Sequence, residues 1–426
     1  AGRAPAGALG WLRWVVCVLS VAGFAAGLAP SMQALIAIRF VQGAGAGLVI
    51  AVGLAATSLV YPDRLSGRAF AANSTVWGVM GAAAPAIAAA MLSVASWRWI
   101  FFINLPLGLI ALVAGWKALP GPKSDESLRM DPVGSLLIAL FTIATLLAVD
   151  ELSWLSLAWV AVSIGSVLLY VRHAKRKDRP VLRVEHALRQ PYSMIGLTIA
   201  GMITAAFAAN IYVTLYVSAG RGGGPVLTAW SVFFFTIGWT LGANISSRLL
   251  ERMAETSVMR IGVATTSTGL LIAGVASLLM WPLAVVFAGL LLGGTGIGLA
   301  TNAGINLVRS ITPQSSIGRA TSAHQFIRNQ GLTVGSAIGG SVLLLVVSQR
   351  LGEVGPVQRL LAGEITDAAP EVAQAVADGY TTTLAVGLVI SILSIVPIRL
   401  LRKHLADARA AANAERSARW PPNPHR

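Results

Sequence analysis

Long apolar runs, separated by short breaks that carry charge, proline or glycine, repeat from one end of the chain to the other. A membrane-spanning helix needs roughly 20 mostly apolar residues. Runs of about that length predict twelve spans, at 11–29, 34–60, 69–95, 99–118, 132–150, 154–171, 193–218, 227–247, 259–280, 283–308, 321–347 and 381–401. The pattern therefore predicts an all-α polytopic membrane protein with twelve spans present.

Composition agrees with this prediction, since 55% of the residues are hydrophobic and 12% are charged, against roughly 25% charged in a soluble domain. The net charge of +15 comes from Lys and Arg placed between apolar runs, where such residues set topology, so we expect no nucleic-acid binding. The one cysteine, Cys17, excludes an internal disulfide, and we expect no metal and no cofactor.

Charge placement also divides the chain. With the N-terminus inside, the outer segments hold only Arg98, Arg221, Arg350 and Arg359, which predicts a cytoplasmic C-terminus.

A basic segment, 172–190, separates the first six spans from the last six; it is either a topology anchor or a contact for anionic lipid. We predict an N-terminal bundle at 1–119, a central hairpin and basic linker at 120–190, a C-terminal bundle at 191–402 and a basic tail at 403–426.

Two further expectations concern the breaks between spans. Spans 132–150 and 154–171 are separated by three residues, so they form either a tight hairpin or one bent segment. The outer segment 349–380 is predicted to be the longest loop.

The string Gly293-Gly294-Thr295-Gly296-Ile297-Gly298 lies inside a predicted span and lacks a following Gly-Lys-Ser/Thr, so we expect no nucleotide site there.

The string at 97–108, WRWIFFINLPLG, resembles the motif that joins the fifth and sixth spans of the major facilitator superfamily, in its fourteen-span drug:proton antiporter branch of the EmrB/QacA type. The resemblance implies two helical bundles with a central two-helix insertion. The family's first two spans have no counterpart here, so the chain is expected to lack them. Further matching strings follow the family order, at Arg39-Phe40-Val41-Gln42-Gly43, at Gly78, Gly81 and Pro85, at 131–134 and at 328–331.

The resemblance implies a secondary active transporter, not an enzyme, that exports amphipathic drugs or other small organic molecules in exchange for protons by alternating access. Its expected partners are the small-molecule substrate, protons and the lipid bilayer. The expected location is the bacterial inner membrane, and the expected state is a monomer. The alternative is a truncated, non-transporting remnant, or a membrane protein that binds lipid or a partner.

Arg39 is the charge that most needs explaining, because a charge inside a span is costly. Gln42 and Gly43 follow it by three and four residues and therefore share its helix face. The resemblance implies that Arg39 faces a central cavity and relays charge between the proton site and the substrate. A structural arginine that snorkels or caps carbonyls is the alternative.

Other candidates fall into three groups. Arg328 lies four residues after His324, which is either a proton carrier or an interfacial side chain. The remaining pathway candidates, for which interhelical hydrogen bonding is the alternative, are Asn210, Tyr212, Asn302 and Asn306. The residues expected to govern conformational change are Gly43, Gly78, Gly81, Pro85, Arg64 and Arg68. No coupling carboxylate can be located, since Asp150 and Glu151 lie at the outer end of the hairpin.

Overall fold

A computed structural model describes residues 6–60, 95–116, 131–150, 154–178, 180–313, 316–352 and 368–401, with isolated positions between 76 and 94 and at 355, 357 and 405. Every regular element in these ranges is helical, and the chain forms two compact units, Ala1–Met130 and Asp131–Arg426. The first unit contains α1 (Ala6–Gly27), α2 (Met32–Val60), α3 (Arg98–Phe102) and α4 (Asn104–Trp116). The second contains α5 (Pro132–Asp150), α6 (Trp154–Arg176), α7 (Glu185–Leu188), α8 (Tyr192–Leu215), α9 (Pro225–Leu249), α10 (Glu255–Leu278), α11 (Leu283–Ser310), α12 (Ile317–Leu351), α13 (Pro370–Leu393) and α14 (Ile395–Leu400).

Within the described residues, eight helical stretches are long and apolar enough to cross a membrane. Each predicted span except 69–95 overlaps a described helix, and most of 69–95 lies outside the described residues. The all-α membrane fold predicted from apolar run length is therefore confirmed. A π-helical turn, Tyr216–Gly220, continues α8 at its end.

In the first unit, α1 packs against α2, α3 and α4 through small residues. A side-chain carbon added at Gly27 would overlap the ring of Phe102, and one added at Gly108 would overlap Ser20. The Ser20 hydroxyl is turned back onto its own helix, where it donates to the Val16 carbonyl at 2.7 Å. Small residues in these positions allow the helices to approach closely without a hydrophobic driving force from water.

The central pair α5 and α6 forms a hairpin, because residues far apart in sequence meet along its length. Thr145 and Ser163 hydroxyls lie 2.8 Å apart, and His173 Nε2 lies 2.7 Å from Asp131 Oδ1. The Gly134 N–H also donates to Asp131 at 3.0 Å. Burial acts to raise the pKa of Asp131, but the bonds from Gly134 and His173 outweigh it, so its pKa lies below the ordinary value of 3.8.

The hairpin packs on α12 within the second unit. Gln330 Nε2 donates to the Thr142 hydroxyl at 2.6 Å, and Thr142 in turn donates to the Ile138 carbonyl at 3.0 Å. Both polar side chains are thereby satisfied in an apolar setting, which a membrane protein requires.

Helix α11 lies between α9 and α10 and approaches both at backbone distance. A side-chain carbon at Gly298 would overlap the Trp239 carbonyl of α9, and one at Gly296 would overlap Thr266 of α10. The Ser246 hydroxyl of α9 also donates to the Leu299 carbonyl at 3.1 Å. The glycine string of this helix therefore serves helix packing.

The predicted outer loop 349–380 is shorter than expected. Helix α12 ends at Leu351, with Gly352 in the left-handed conformation at φ 74°, and α13 begins at Pro370. Proline fits the first turn, because its fixed φ suits a helix and its missing N–H would be unpaired there. Asp378 then lies inside α13, where it pairs with Arg350 at 2.9 Å and accepts from Gln374 at 3.0 Å. The pattern of apolar runs did not predict the last turn of α12 and the first turns of α13, because their polar residues resemble those of a loop.

Candidate functional site

Arg39, the arginine within α2, is held by a residue one turn further along the same helix. Arg39 Nη1 donates to Gln42 Oε1 at 2.8 Å. The guanidinium carbon also lies 5.8 Å from the centre of the Phe101 ring of α3, within the range of a cation–π contact. Arg39 therefore has a directional acceptor and an aromatic face as partners.

Gln42 marks the point where three helices of this unit meet. Its side chain is 7% exposed. A side-chain carbon added at Gly23 of α1 would lie 3.1 Å from Gln42 Nε2 and 2.7 Å from Asn104 Cβ of α4. Asn104 donates to the Phe101 carbonyl at 2.9 Å. The strings at 39–43 and 97–108, which are far apart in sequence, thus come together in space.

The sequence did not identify Asn104 as a polar side chain that packs beside Gln42. The signal was present, since Asn104 lies inside the string 97–108, but nothing in that string shows which helix its amide faces.

The glycines after Arg39 differ in their surroundings. A side-chain carbon at Gly43 or Gly47 would meet no described atom within 4 Å, whereas one at Gly45 would touch Leu19 of α1 at 3.6 Å. The contact between α1 and α2 therefore runs through Gly45. The other residues expected to govern conformational change, Gly78, Gly81, Pro85, Arg64 and Arg68, lie outside the described residues.

In the second unit, α8 and α12 run side by side in parallel. Glycines of α12 lie directly against the α8 backbone, Gly331 at Ala200 and Gly339 at Ala208. The Thr204 hydroxyl donates to the Gly331 carbonyl at 3.1 Å. Side-chain hydroxyls and backbone carbonyls thus join these two helices at several levels.

Two predicted pathway residues, Asn210 and Tyr212, lie on α8. The Tyr212 hydroxyl donates to the Ser336 carbonyl of α12 at 3.1 Å. Asn210 is 8% exposed, and its Oδ1 has no hydrogen-bond partner among the described residues. Tyr212 thus follows the interhelical alternative, whereas Asn210 keeps a buried acceptor available.

Arg328 of α12 lies against α9, with its guanidinium carbon 5.3 Å from the centre of the Trp239 ring. Tyr212 covers Gly340 of α12, which is twelve residues, or roughly 18 Å of helix, beyond Arg328. The second-unit candidates are consequently spread along the bundle and do not converge on one point.

Asn302 and Asn306 lie in the later half of α11. Asn302 Nδ2 donates across to α9, to the Ala243 carbonyl at 3.2 Å and the Ser247 hydroxyl at 3.1 Å. Asn306 Nδ2 donates to the Asn302 carbonyl at 2.8 Å. It also lines a cavity of about 440 Å³ with Leu250, Met253, Glu255, Arg309, Ser310 and Ile317. The hydrogen bonds of Asn302 match the interhelical alternative, while Asn306 borders open space.

His324 is buried at 3% exposure, one turn before Arg328. A side-chain carbon at Gly304 of α11 would lie 3.6 Å from His324 Cε1. The Nε2 atom of the ring is buried and has no hydrogen-bond partner among the described residues. The imidazole is therefore enclosed between helices.

Long apolar helices that enclose polar side chains define a polytopic membrane protein. The sequence profile described as the Major Facilitator Superfamily matches residues 2–336, and the chain belongs to that family of transporters. The family, inferred above from short strings, is confirmed.

Known relatives agree with this family. The chain is 28% identical over 351 residues to the uncharacterized transporter YebQ of Escherichia coli, covering 79% of this chain and 74% of YebQ. It is 25% identical over 374 residues to the multidrug resistance protein Stp of Mycobacterium tuberculosis, covering 83% of this chain and 68% of Stp. A solved bacterial homologue of the human lysosomal transporter Spinster matches with a TM-score of 0.56 at 14% identity, covering 95% of this chain and 84% of that one, which supports the fold alone.

Proposed function

We propose that the protein is a proton-driven exporter of amphipathic, often cationic, organic molecules, belonging to the fourteen-span drug:proton antiporter branch. The observation that carries the proposal is the meeting of Arg39, Gln42 and Asn104 in the first unit, where the two strings that most resemble that branch come together. The similarity to a multidrug resistance protein supports the same substrate class.

In this proposal, the two helical bundles rock about a substrate site near the middle of the membrane, so that the site opens to one side at a time. Arg39 supplies a fixed positive charge, and its bond to Gln42 holds the guanidinium in one orientation. A fixed cation favours the deprotonated form of an ionisable group near it and repels a cationic substrate. Movement of Arg39 towards a proton site would therefore release the proton, and movement away from it would let the proton bind.

The second unit carries separate groups that suit such a substrate. The buried acceptor of Asn210 offers a hydrogen bond, and the indole of Trp239, which contacts Arg328, is an aromatic face that binds cations. Aromatic faces attract organic cations, and ligand sites combine apolar walls with a few placed polar groups. We further propose that the protein acts as a monomer in the bacterial inner membrane, with its C-terminus in the cytoplasm.

The test is efflux from a bacterial strain that lacks its own multidrug pumps. Cells expressing the full chain are loaded with ethidium, and dye loss is followed after glucose addition, with and without a protonophore. The expected result is faster dye loss that the protonophore abolishes. Dye loss equal to that of vector-only cells, in membranes that contain the protein, for ethidium, tetraphenylphosphonium and a neutral amphipathic dye would contradict the proposal.

A further inference from the structure

His324 combines three features that rarely occur together. It lies within the apolar helix α12, it is 3% exposed, and its Nε2 atom is buried without a hydrogen-bond partner among the described residues. A buried polar atom that makes no hydrogen bond destabilises the folded state, and each such atom in a native protein calls for an explanation. An ionisable side chain inside a membrane span is a candidate functional group for the same reason.

The surroundings of His324 are apolar, apart from one cation. The carbon position at Gly304 of α11 lies 3.1 Å from Ile199 of α8 and 3.6 Å from His324, so glycine and aliphatic groups face the ring. Arg328 lies one turn further along α12, so its positive charge is close to the ring. The ionisable groups on the packed elements are Arg319 and Arg350 of α12, Arg309 of α11, Glu185 and His186 of α7, Tyr192 and Tyr212 of α8, Glu371, Asp378 and Tyr380 of α13, and Asp150 of α5.

The carboxylates in the described helices of the second unit are poorly placed to gain and lose a proton inside the membrane. Glu255 and Glu371 lie in the first turns of α10 and α13, and Asp378 pairs with Arg350 at 2.9 Å. Asp150 is the last residue of α5, and Glu185 begins the short helix α7. Histidine is the side chain whose charge changes near neutral pH. His186 is also buried, but it lies in the short helix α7 and not in a span, so the imidazole of α12 is the buried group within a span that is best suited to gain and lose a proton.

We infer that His324 binds the coupling proton during the transport cycle, with Arg328 as the fixed cation that opposes this binding while the helices are packed. This inference rests on the proposed function, because it names a residue for the proton step. The lone pair of the unprotonated ring nitrogen takes up one proton, and the same proton leaves later, so no further reactant is needed.

The packed arrangement favours the neutral ring. A protonated imidazole would lie buried, one turn from a guanidinium and against the glycine face of α11, where both desolvation and repulsion act against it. Proton binding therefore favours an arrangement in which α12 separates from α11 and water reaches the ring.

The first experiment separates proton coupling from substrate movement. Purified full-length protein is placed in proteoliposomes, and ethidium uptake is measured with an imposed pH gradient and, separately, as exchange at equal pH. His324→Gln is expected to lose gradient-driven accumulation at least tenfold and to keep exchange. His186→Gln, which changes the other buried histidine, serves as the matched control and is expected to keep both.

Two outcomes would overturn the inference. Gradient-driven accumulation by His324→Gln at the wild-type rate would show that no proton passes through this ring. Loss of accumulation and exchange together, in protein that is folded and inserted, would show that the residue has only a structural role.

A second experiment measures protonation without transport. The chain has five histidines, so ¹⁵N-histidine labelling gives a small set of ring signals in nanodiscs, and His324→Gln identifies the signal of position 324. We expect this ring to be neutral at about pH 8 and to gain a proton as the pH is lowered. Arg328→Met is expected to increase its protonated fraction at any given acidic pH.

A ring signal that stays unchanged in both proteins over the whole acidic range in which they remain folded would refute proton binding. A wild-type protein that neither accumulates nor exchanges any of the three dyes contradicts the proposed function instead. The titration would still decide whether His324 binds a proton, so the two failures are distinguishable.

Discussion

The two units each hold an arginine inside an apolar helix, but they hold it differently. In the first unit, Arg39 donates at 2.8 Å to the amide oxygen of Gln42, which is 7% exposed. In the second unit, Arg328 lies over the Trp239 ring at 5.3 Å. A hydrogen bond from a charged donor fixes direction, whereas an aromatic face attracts a cation over a range of positions. The first-unit arginine therefore has a directional partner in addition to an aromatic face, whereas the second-unit arginine is held against an aromatic face.

The largest effect is expected from removing the fixed charge. Arg39→Ala should reduce protonophore-sensitive ethidium efflux at least tenfold while the protein remains inserted, because Gln42 loses its charged partner and, under the proposed function, the transport pathway loses its cation. Arg39→Lys is the matched control. Lysine keeps the charge but not the planar fork, so partial efflux is expected. Efflux at the wild-type level in Arg39→Ala would remove Arg39 from the mechanism.

Gln42→Leu should have the next largest effect, because it keeps the arginine but removes the acceptor that orients it. Arg39 is exposed, so its freed N–H group can bond elsewhere and thermal stability should change little, whereas efflux should slow. Gln42→Glu retains an acceptor and should restore efflux. If Gln42→Leu leaves efflux unchanged, the orientation of the first-unit arginine does not matter to transport and the contrast between the units fails.

Removing the aromatic face under Arg328 should have a smaller effect. Trp239→Leu should destabilise the protein by about 0.5–2 kcal/mol through the lost cation–π contact, whereas Trp239→Phe keeps a ring and should lose less. Thermal unfolding in detergent, followed by intrinsic fluorescence and by aggregation, measures both. A greater loss in Trp239→Phe than in Trp239→Leu would show that ring packing, and not the cation, explains the contact.

The smallest effect is expected where two uncharged side chains meet, at Gln330 and Thr142, 2.6 Å apart. Thr142→Val, Gln330→Leu and the double variant form a cycle whose coupling should be about 0.6 kcal/mol, the usual size for hydrogen bonds inside membranes. Coupling of several times that size would place this hairpin contact alongside the arginine sites in importance.

Much of the fold could be predicted because apolar run length directly measures what a bilayer requires. The bond between Arg39 and Gln42 was also predictable, since residues three apart share a helix face. Phe101 and Trp239 were not predictable as partners, because each reaches its arginine from another helix. The burial of His324 was hidden for a different reason: a helix that is apolar all round gives little sequence signal about which face is inside.

The close crossing of α11 with α9 and α10 has a practical consequence for spectroscopy. At Gly296 and Gly298 the helices are in contact without an intervening side chain. Labels placed at the ends of these three helices should therefore keep constant separations throughout the transport cycle. Cys17 is the single native cysteine, and one substitution yields a background for paired spin labels. Distances between labels on α9, α10 and α11 would then serve as an internal reference, against which any movement of α12 could be measured in the same sample.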